Sequence, residues 1–208
     1  RMVLGHWGAD LDFYDRVLAA TDGTHDGFVS TGKEMRDMPT LVNAFNATGA
    51  DLDIYVARVT GDVSYERIFG KLPMRRNIRL KFVERLIPYE LSLIVARAEC
   101  VAICCQETKY TVGLTTVVEA MAMGLPMICS RNPQIPVDIG ATRCGIAVNY
   151  GDVEGWKRAI DFMRNHPDEA RAMGQRGRQL AETTFNDMRC AAEVAQVLKE
   201  VIEQRKRS

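Results

Sequence analysis

From about residue 27 onward, short apolar runs bounded by turn residues alternate with segments whose apolar positions recur at helical spacing. The runs at 27–31, 52–57, 77–83, 100–105, 126–129 and 145–148 read as strands, and the stretches near 39–47, 89–98, 116–123 and 153–165 read as helices. Strand and helix in alternation is the pattern of repeated βα units around a parallel sheet, so the expected class is α/β, a Rossmann-like parallel sheet flanked by helices. In such open sheets ligands sit beyond the carboxyl ends of the strands, and four of these strands run directly into Gly, Ser, Thr, Lys or Arg.

The flanks read differently. Residues 9–20 form a short amphipathic segment ahead of a polar, turn-rich link, so 1–26 is expected to be a connector. A Rossmann-like domain then spans 27–186, and 187–208 is a C-terminal helix. Two long helical patterns run from 168 to 204, with Ala181, Phe185, Cys190, Val194, Val197, Leu198 and Val201 as apolar positions, and both are expected to pack outside the sheet. No internal repeat or low-complexity run is visible, which removes solenoids and disordered tails.

Composition narrows the function classes. A chain of 208 residues, 47% of them hydrophobic, can bury one full core. Lys plus Arg (27) equals Asp plus Glu (27), so no whole-molecule field draws it to nucleic acid or to an acidic membrane, and an anion site must be built locally. The six cysteines include no C-x-x-C pair and no neighbouring His, and they read as reduced core thiols of a cytosolic protein rather than as a zinc site. No apolar stretch approaches the roughly 20 residues of a membrane span, and the opening RMVLGHWGAD is too short and polar for a signal peptide. The start at Arg1 rather than Met points to a piece of a longer protein.

The most informative stretch is VGLTTVVEAMAMGLPMI, residues 112–128. Gly113 and Leu114 precede Thr115 and Thr116, which can cap a helix carrying Glu119, and Gly124 and Pro126 mark its end. A glycine-opened helix N-terminus presents free N–H groups and the positive end of the dipole, suited to a diphosphate, with Glu119 one turn in to accept hydrogen bonds from a ribose diol. Thr116-x-x-Glu119 is equally a capping box that needs no ligand. Taken alone, the residues leave both readings open.

The string GLTTVVEAMAMGLPMI resembles the signature of retaining, family 4-like glycosyltransferases of the GT-B fold, where the glutamate of E-A-M-A-x-G-x-P binds the donor ribose. The likeness extends upstream through STGKEMRDMPTLVNAF and downstream through CGIAVNYGDVEGWKRAIDFM and RAMGQRGRQLAETTF, covering roughly residues 27–190. It implies one half of a GT-B architecture, the half that binds a nucleotide-sugar donor, with Gly32, Gly113, Leu114, Thr115, Thr116 and Glu119 around the nucleotide. By the same resemblance Lys33 and Arg36 take the places of the basic pair that stabilises the departing diphosphate, a purely electrostatic role. Val83, in the loop after its strand, falls where the family holds the base, with Glu84 beside it. The nucleotide sugar is a substrate and no cofactor is implied. The acceptor belongs to an N-terminal domain of the same polypeptide, and the isolated chain is expected to be inactive.

One position departs from the pattern: eight residues before Glu119, where the family commonly has a second glutamate on the transferred sugar, stands Thr111. Either Glu107 reaches back from a longer loop or the sugar is held differently. The D-x-D strings Asp10-Leu11-Asp12 and Asp51-Leu52-Asp53 invite a divalent-metal reading. Their places in the connector and at the amino end of a strand argue against it, and no metal ligand is assigned. The basic run KLPMRRNIRLKFVER, residues 71–85, reads as a solvated face, with at most a peripheral membrane contact at the inner face of the cytoplasmic membrane. No G-x-S-x-G, G-x-x-x-x-G-K-[ST] or G-x-G-x-x-G occurs, which removes the main signals of hydrolases, P-loop ATPases and dehydrogenases. Beside the transferase reading stand a non-catalytic GT-B-like binding module, favoured by Thr111, and a sugar-nucleotide epimerase on the same fold.

Overall fold

The computed structural model describes residues 5–23, 25–84 and 88–207. Helix α1 (Leu11–Ala19) comes first, then β1 (Phe28–Thr31), α2 (Met38–Thr48), β2 (Leu52–Val56), a small hairpin of β3 (Val59–Thr60) and β4 (Val63–Ser64), and α3 (Tyr65–Phe69). The chain continues through β5 (Ile78–Phe82), α4 (Pro88–Val95), β6 (Cys100–Ile103), α5 (Leu114–Ala122), β7 (Met127–Ser130), α6 (Ile139–Thr142) and β8 (Gly145–Val148). It closes with α7 (Val153–Asn165), α8 (Pro167–Thr183) and α9 (Asp187–Arg207). All six expected strands are present. The hairpin, α3 and α6 were not expected from the pattern, because elements this short carry too little sequence to show a period.

The six long strands form one parallel sheet in the order β5-β2-β1-β6-β7-β8. Every residue of β1, β6 and β7 is buried, as strands covered on both faces must be. Leu41 and Phe45 of α2 with Trp156 and Ile160 of α7 fill one face, and Tyr14 and Val17 of α1 with Val117 and Met121 of α5 fill the other. Strand order reverses between β1 and β6, and the carboxyl ends at such a reversal, called the crevice below, are where doubly wound sheets bind ligands.

Local chemistry sets the helix starts. The Asp37 carboxylate accepts the Thr40 N–H at 3.1 Å and Pro39 sits in the first turn of α2, while Asp152 caps α7 through the Gly155 N–H at 2.8 Å. Asp10 caps α1 through the Phe13 N–H, and Asp53 pairs with Arg79 on the neighbouring strand, so both D-x-D strings hold acids with structural partners.

The connector segment is packed onto the domain: α1 lies against α4 and α5, and Ala9 exchanges main-chain hydrogen bonds with Phe185 and Asp187. The two tail helices part company. α8 packs along α5 as expected, but α9 keeps Met188, Val194, Leu198, Val201 and Ile202 exposed, because no described element of this chain lies opposite that face. Among the described residues no helix is long and apolar enough to cross a membrane.

α8 approaches the turn between α5 and β7 so closely that a Cβ at Gly174 would overlap the main chain of Gly124. Helix propensity alone favours Ala over Gly by about 1 kcal/mol. The contact reverses that sign, so Gly174→Ala is expected to lower stability by roughly 1–3 kcal/mol in urea denaturation. An unchanged or higher midpoint would contradict this packing.

Candidate functional site

Two loops meet at the crevice. The loop after β1, residues 32–37, and the loop after β6, residues 104–113, are stitched by main-chain bonds from the Asp37 N–H to the Cys104 carbonyl (3.0 Å) and from the Gln106 N–H to the Met35 carbonyl (2.8 Å). Ser130 at the end of β7 anchors the second loop, accepting the Cys105 N–H at 2.9 Å and donating to its carbonyl. Tyr110 reaches across to Glu34 at 3.2 Å, and the Asn132 amide donates to the Tyr110 carbonyl at 2.9 Å.

Arg36 runs beneath both loops. Only 4% exposed, it donates Nε to the Thr31 carbonyl (3.0 Å), one terminal nitrogen to the Glu34 carbonyl and to Cys105 Sγ (both 3.2 Å), and the other to Thr116 Oγ1 (3.1 Å). Its own N–H donates to the hydroxyl of buried Tyr65 on α3 at 3.1 Å. A guanidinium has five donors, so one N–H of the second terminal nitrogen is left over. The side-chain acceptors are a hydroxyl and a thiol that burial pushes upward, so it stays neutral, and among the described residues no carboxylate forms an ion pair with Arg36. Lys33, by contrast, is exposed on the same loop. The two cations are therefore a buried floor and an exposed rim rather than two side chains of one exposed turn.

The glycines on either side exist for this packing. Gly32 (φ +101°) and Gly113 (φ +90°) both occupy backbone conformations that L side chains avoid. A Cβ on Gly32 would overlap the guanidinium itself, and one on Gly113 would press on Ile103 and Cys105 Sγ at 3.1 and 3.3 Å.

Helix α5 begins three residues earlier than the capping-box reading requires. Its N-cap is Gly113, no side chain accepts from its first turn, and Thr116 is turned to Arg36 instead of to the helix end. The capping-box alternative is thereby removed: Thr116 lies inside the first turn, where its hydroxyl cannot serve as the N-cap acceptor. The helix end thus faces the crevice with its N–H groups free of side-chain caps, beside half-exposed Leu114 and exposed Thr115.

Glu119, one turn further, is half-buried. Burial pushes its carboxyl above the ordinary range, opposed by a hydrogen bond from Tyr14 and by the charge of Arg36. Glu107 and Thr111 are both exposed on the loop after β6, just beyond the stitch, and Glu107 is near enough to Tyr150 to help raise its hydroxyl. Val83 is half-buried at the end of β5 with its N–H donated to Val56 at 2.9 Å, and Glu84 is exposed beside it. The basic run is an occupied, solvated face: Arg75 bonds to Asn46, Arg79 to Asp53 and Lys81 to Tyr55, while Arg85 lies outside the described residues.

The sequence therefore brings Gly32, Lys33, Arg36, Gly113, Thr115, Thr116 and Glu119 to one edge of the sheet, with Val83 and Glu107 on neighbouring strand ends. Tyr14, Tyr65 and Cys105 were missed, since each acts through a contact between segments distant in sequence. The crevice is an exposed wall. A cavity of about 420 Å³ lies elsewhere, at the amino ends of β1, β6 and β7 among Phe28, Cys100 and Pro126.

A family model for glycosyl transferases group 1 matches residues 59–180. The chain is 30% identical over 114 residues to the MMP alpha-(1->4)-mannosyltransferase of Mycolicibacterium hassiacum, a stretch that is 54% of this chain and 27% of that protein. Among solved structures, sucrose-phosphate synthase of Thermosynechococcus elongatus superposes with a TM-score of 0.73 at 20% identity, over 95% of this chain and 52% of that one. A glycosyltransferase from Rickettsia africae gives 0.75 at 14% identity (96% and 57%), and HepE of Anabaena in complex with UDP gives 0.72 at 13% identity (93% and 56%). The chain thus spans about half the length of these solved proteins and about a quarter of the curated relative. With a six-stranded sheet switching direction at the crevice and a family match over most of it, the chain belongs to the glycosyl transferases group 1.

Proposed function

We propose that this chain is the donor-binding half of a glycosyltransferase and that the crevice between β1 and β6 takes the diphosphate of a nucleotide sugar. One observation carries the reading: the Arg36 guanidinium is buried at the floor of the crevice with only neutral acceptors and one spare N–H. An ion taken out of water costs several kcal/mol even after relaxation. A unit charge brought within ~4 Å returns about 4 kcal/mol at an effective dielectric near 20, so an anion at the crevice offsets much of that cost. The uncapped end of α5 adds its dipole and its free N–H groups from the other wall.

In this reading the first-turn N–H groups of Leu114, Thr115 and Thr116 and the spare N–H of Arg36 hold the diphosphate, with Lys33 closing from the rim. Gly32 and Gly113 let the main chain approach it. Glu119 accepts from the ribose hydroxyls, the Val83 loop lies beside the base, and Glu107 contacts the sugar in place of Thr111. When the bond from C1 to the diphosphate oxygen breaks, its electron pair stays with the diphosphate, where fixed cations and N–H dipoles stabilise it without reorganising. The acceptor oxygen bonds to C1 and passes its proton to the departing diphosphate oxygen. Retention of configuration and independence from metal follow the family resemblance. The relatives support the substrate class: HepE binds UDP, and one relative is a mannosyltransferase.

The acceptor belongs to a second half of the same polypeptide, reached through the connector at 1–26. The exposed apolar face of α9 is the surface that second half covers, since similar solved chains are about twice as long.

Calorimetry of this chain with UDP, GDP and ADP is expected to show weak binding of at least one, with no sugar transfer. Arg36→Met should weaken that binding by at least roughly tenfold, Lys33→Ala by less, and Glu119→Ala by about tenfold, as hydrogen bonds to charged groups require. No heat with any of the three at millimolar concentration would contradict the site. For the two-half protein, Leu198→Glu is expected to lower transfer, yet to change the stability of this chain by less than about 0.5 kcal/mol, because the residue is exposed here. Equal loss in both would place Leu198 in this domain's own packing.

A further inference from the structure

The loop after β6 fixes one side chain that it does not bury. Three donors converge on the main-chain carbonyl of Tyr110, an oxygen with two lone pairs: Thr108 Oγ1 at 2.8 Å, the Val112 N–H at 2.9 Å and the Asn132 amide at 2.9 Å. The Tyr110 hydroxyl is tied as well, donating at 3.2 Å to Glu34 on the loop after β1. Even so, Tyr110 stays 49% exposed, and among the described residues of the two crevice loops it is the one large hydrophobic side chain that does. Folding gains little from this arrangement, because ordering the ring costs entropy and removes little apolar area from water. A ring held in place without being covered is a surface prepared for something that arrives.

A nucleotide sugar runs from base to ribose to diphosphate to sugar. In the donor reading the base lies by Val83 at the end of β5 and the diphosphate between β1 and β6, and the sheet runs β5-β2-β1-β6-β7-β8. Neighbouring strands stand about 4.8 Å apart, so the next component along the same direction falls over the loop after β6, where Tyr110 stands. A pyranose is polar at its rim but carries C–H groups on its faces, and their slightly positive hydrogens suit the negative face of an aromatic ring. We infer, on the donor reading above, that Tyr110 is the platform on which the transferred sugar stacks, with Glu34 as the positioning residue that holds the ring by its hydroxyl. Such a contact retains the sugar at a position where Thr111 supplies no carboxylate.

The test uses the 208-residue chain with UDP, GDP and ADP, and with UDP-glucose, GDP-mannose and ADP-glucose. Tyr110→Leu keeps an apolar side chain and leaves the three bonds to the carbonyl available, because they are made to the main chain. For whichever pair binds, the variant is expected to weaken the nucleotide sugar by roughly threefold to tenfold and the free nucleotide by less than about twofold. Ligand NMR adds a signature that a supporting role in the loop would not give. Ring current moves the C–H protons on one face of the bound sugar upfield in the wild type, and Tyr110→Leu abolishes that shift. Tyr110→Phe and Glu34→Ala each cut the tether, so each should lose part of the shift, and the double variant should lose no more than either alone. Equal affinities of wild type and Tyr110→Leu for the nucleotide sugar, with the sugar protons equally placed, would overturn the inference and leave the diphosphate site standing. So would a wild type that binds nucleotide sugar without shifting the sugar protons. If Tyr110→Leu loses free nucleotide as strongly as nucleotide sugar, Tyr110 supports the loop and the platform role fails. Should no nucleotide bind at all, the donor reading fails and the platform with it.

Discussion

The buried guanidinium of Arg36 is the constraint on which the rest of the site depends. It ties the loop after β1 to the loop after β6 and to the first turn of α5, and it does so at the point where the sheet reverses its order. The positive-φ glycines, the main-chain stitch between the loops and the uncapped helix end are all consequences of fitting a flat, charged group into that space. A lysine could not substitute: it offers three donors from a single atom and cannot span acceptors on three segments.

The same constraint links fold to chemistry. A parallel sheet covered on both faces must release its loops at two edges only, and the carboxyl edge carries the reversal that opens a crevice. A cation held at that point by neutral acceptors leaves a positive potential, shared in part with Glu119, that favours an incoming anion. Glu119 stands one helical turn further along α5, where the proposed function takes it as the acceptor for the ribose hydroxyls.

Much of this was legible from residues alone. The six strands follow from continuous apolar runs, and the bodies of α2 and α7 from apolar positions at helical spacing. The edge where the site lies follows from the polar residues ending those runs. Three things were hidden, each for a physical reason. Thr116-x-x-Glu119 satisfies the local spacing of a capping box, and only the position of Arg36 shows that Thr116 has another partner. Arg36 and Lys33 look equivalent in sequence, because burial of one depends on two glycine loops closing above it. The face of α9 reads as core by period but finds nothing in this chain to cover it. Local pattern determines elements; the partner of a polar group is set by segments that meet only after folding.

The central claim is that the crevice at Arg36 and the start of α5 is an anion site. Amide NMR of the chain titrated with inorganic pyrophosphate tests it without any assumption about base or sugar. The largest shifts are expected at Gly32, Leu114, Thr115 and Thr116, with the Arg36 Nε resonance moving in step. Shifts confined to the amino-edge cavity, at Ala98, Gly124 and Ala170, or no saturable shift at all, would contradict it.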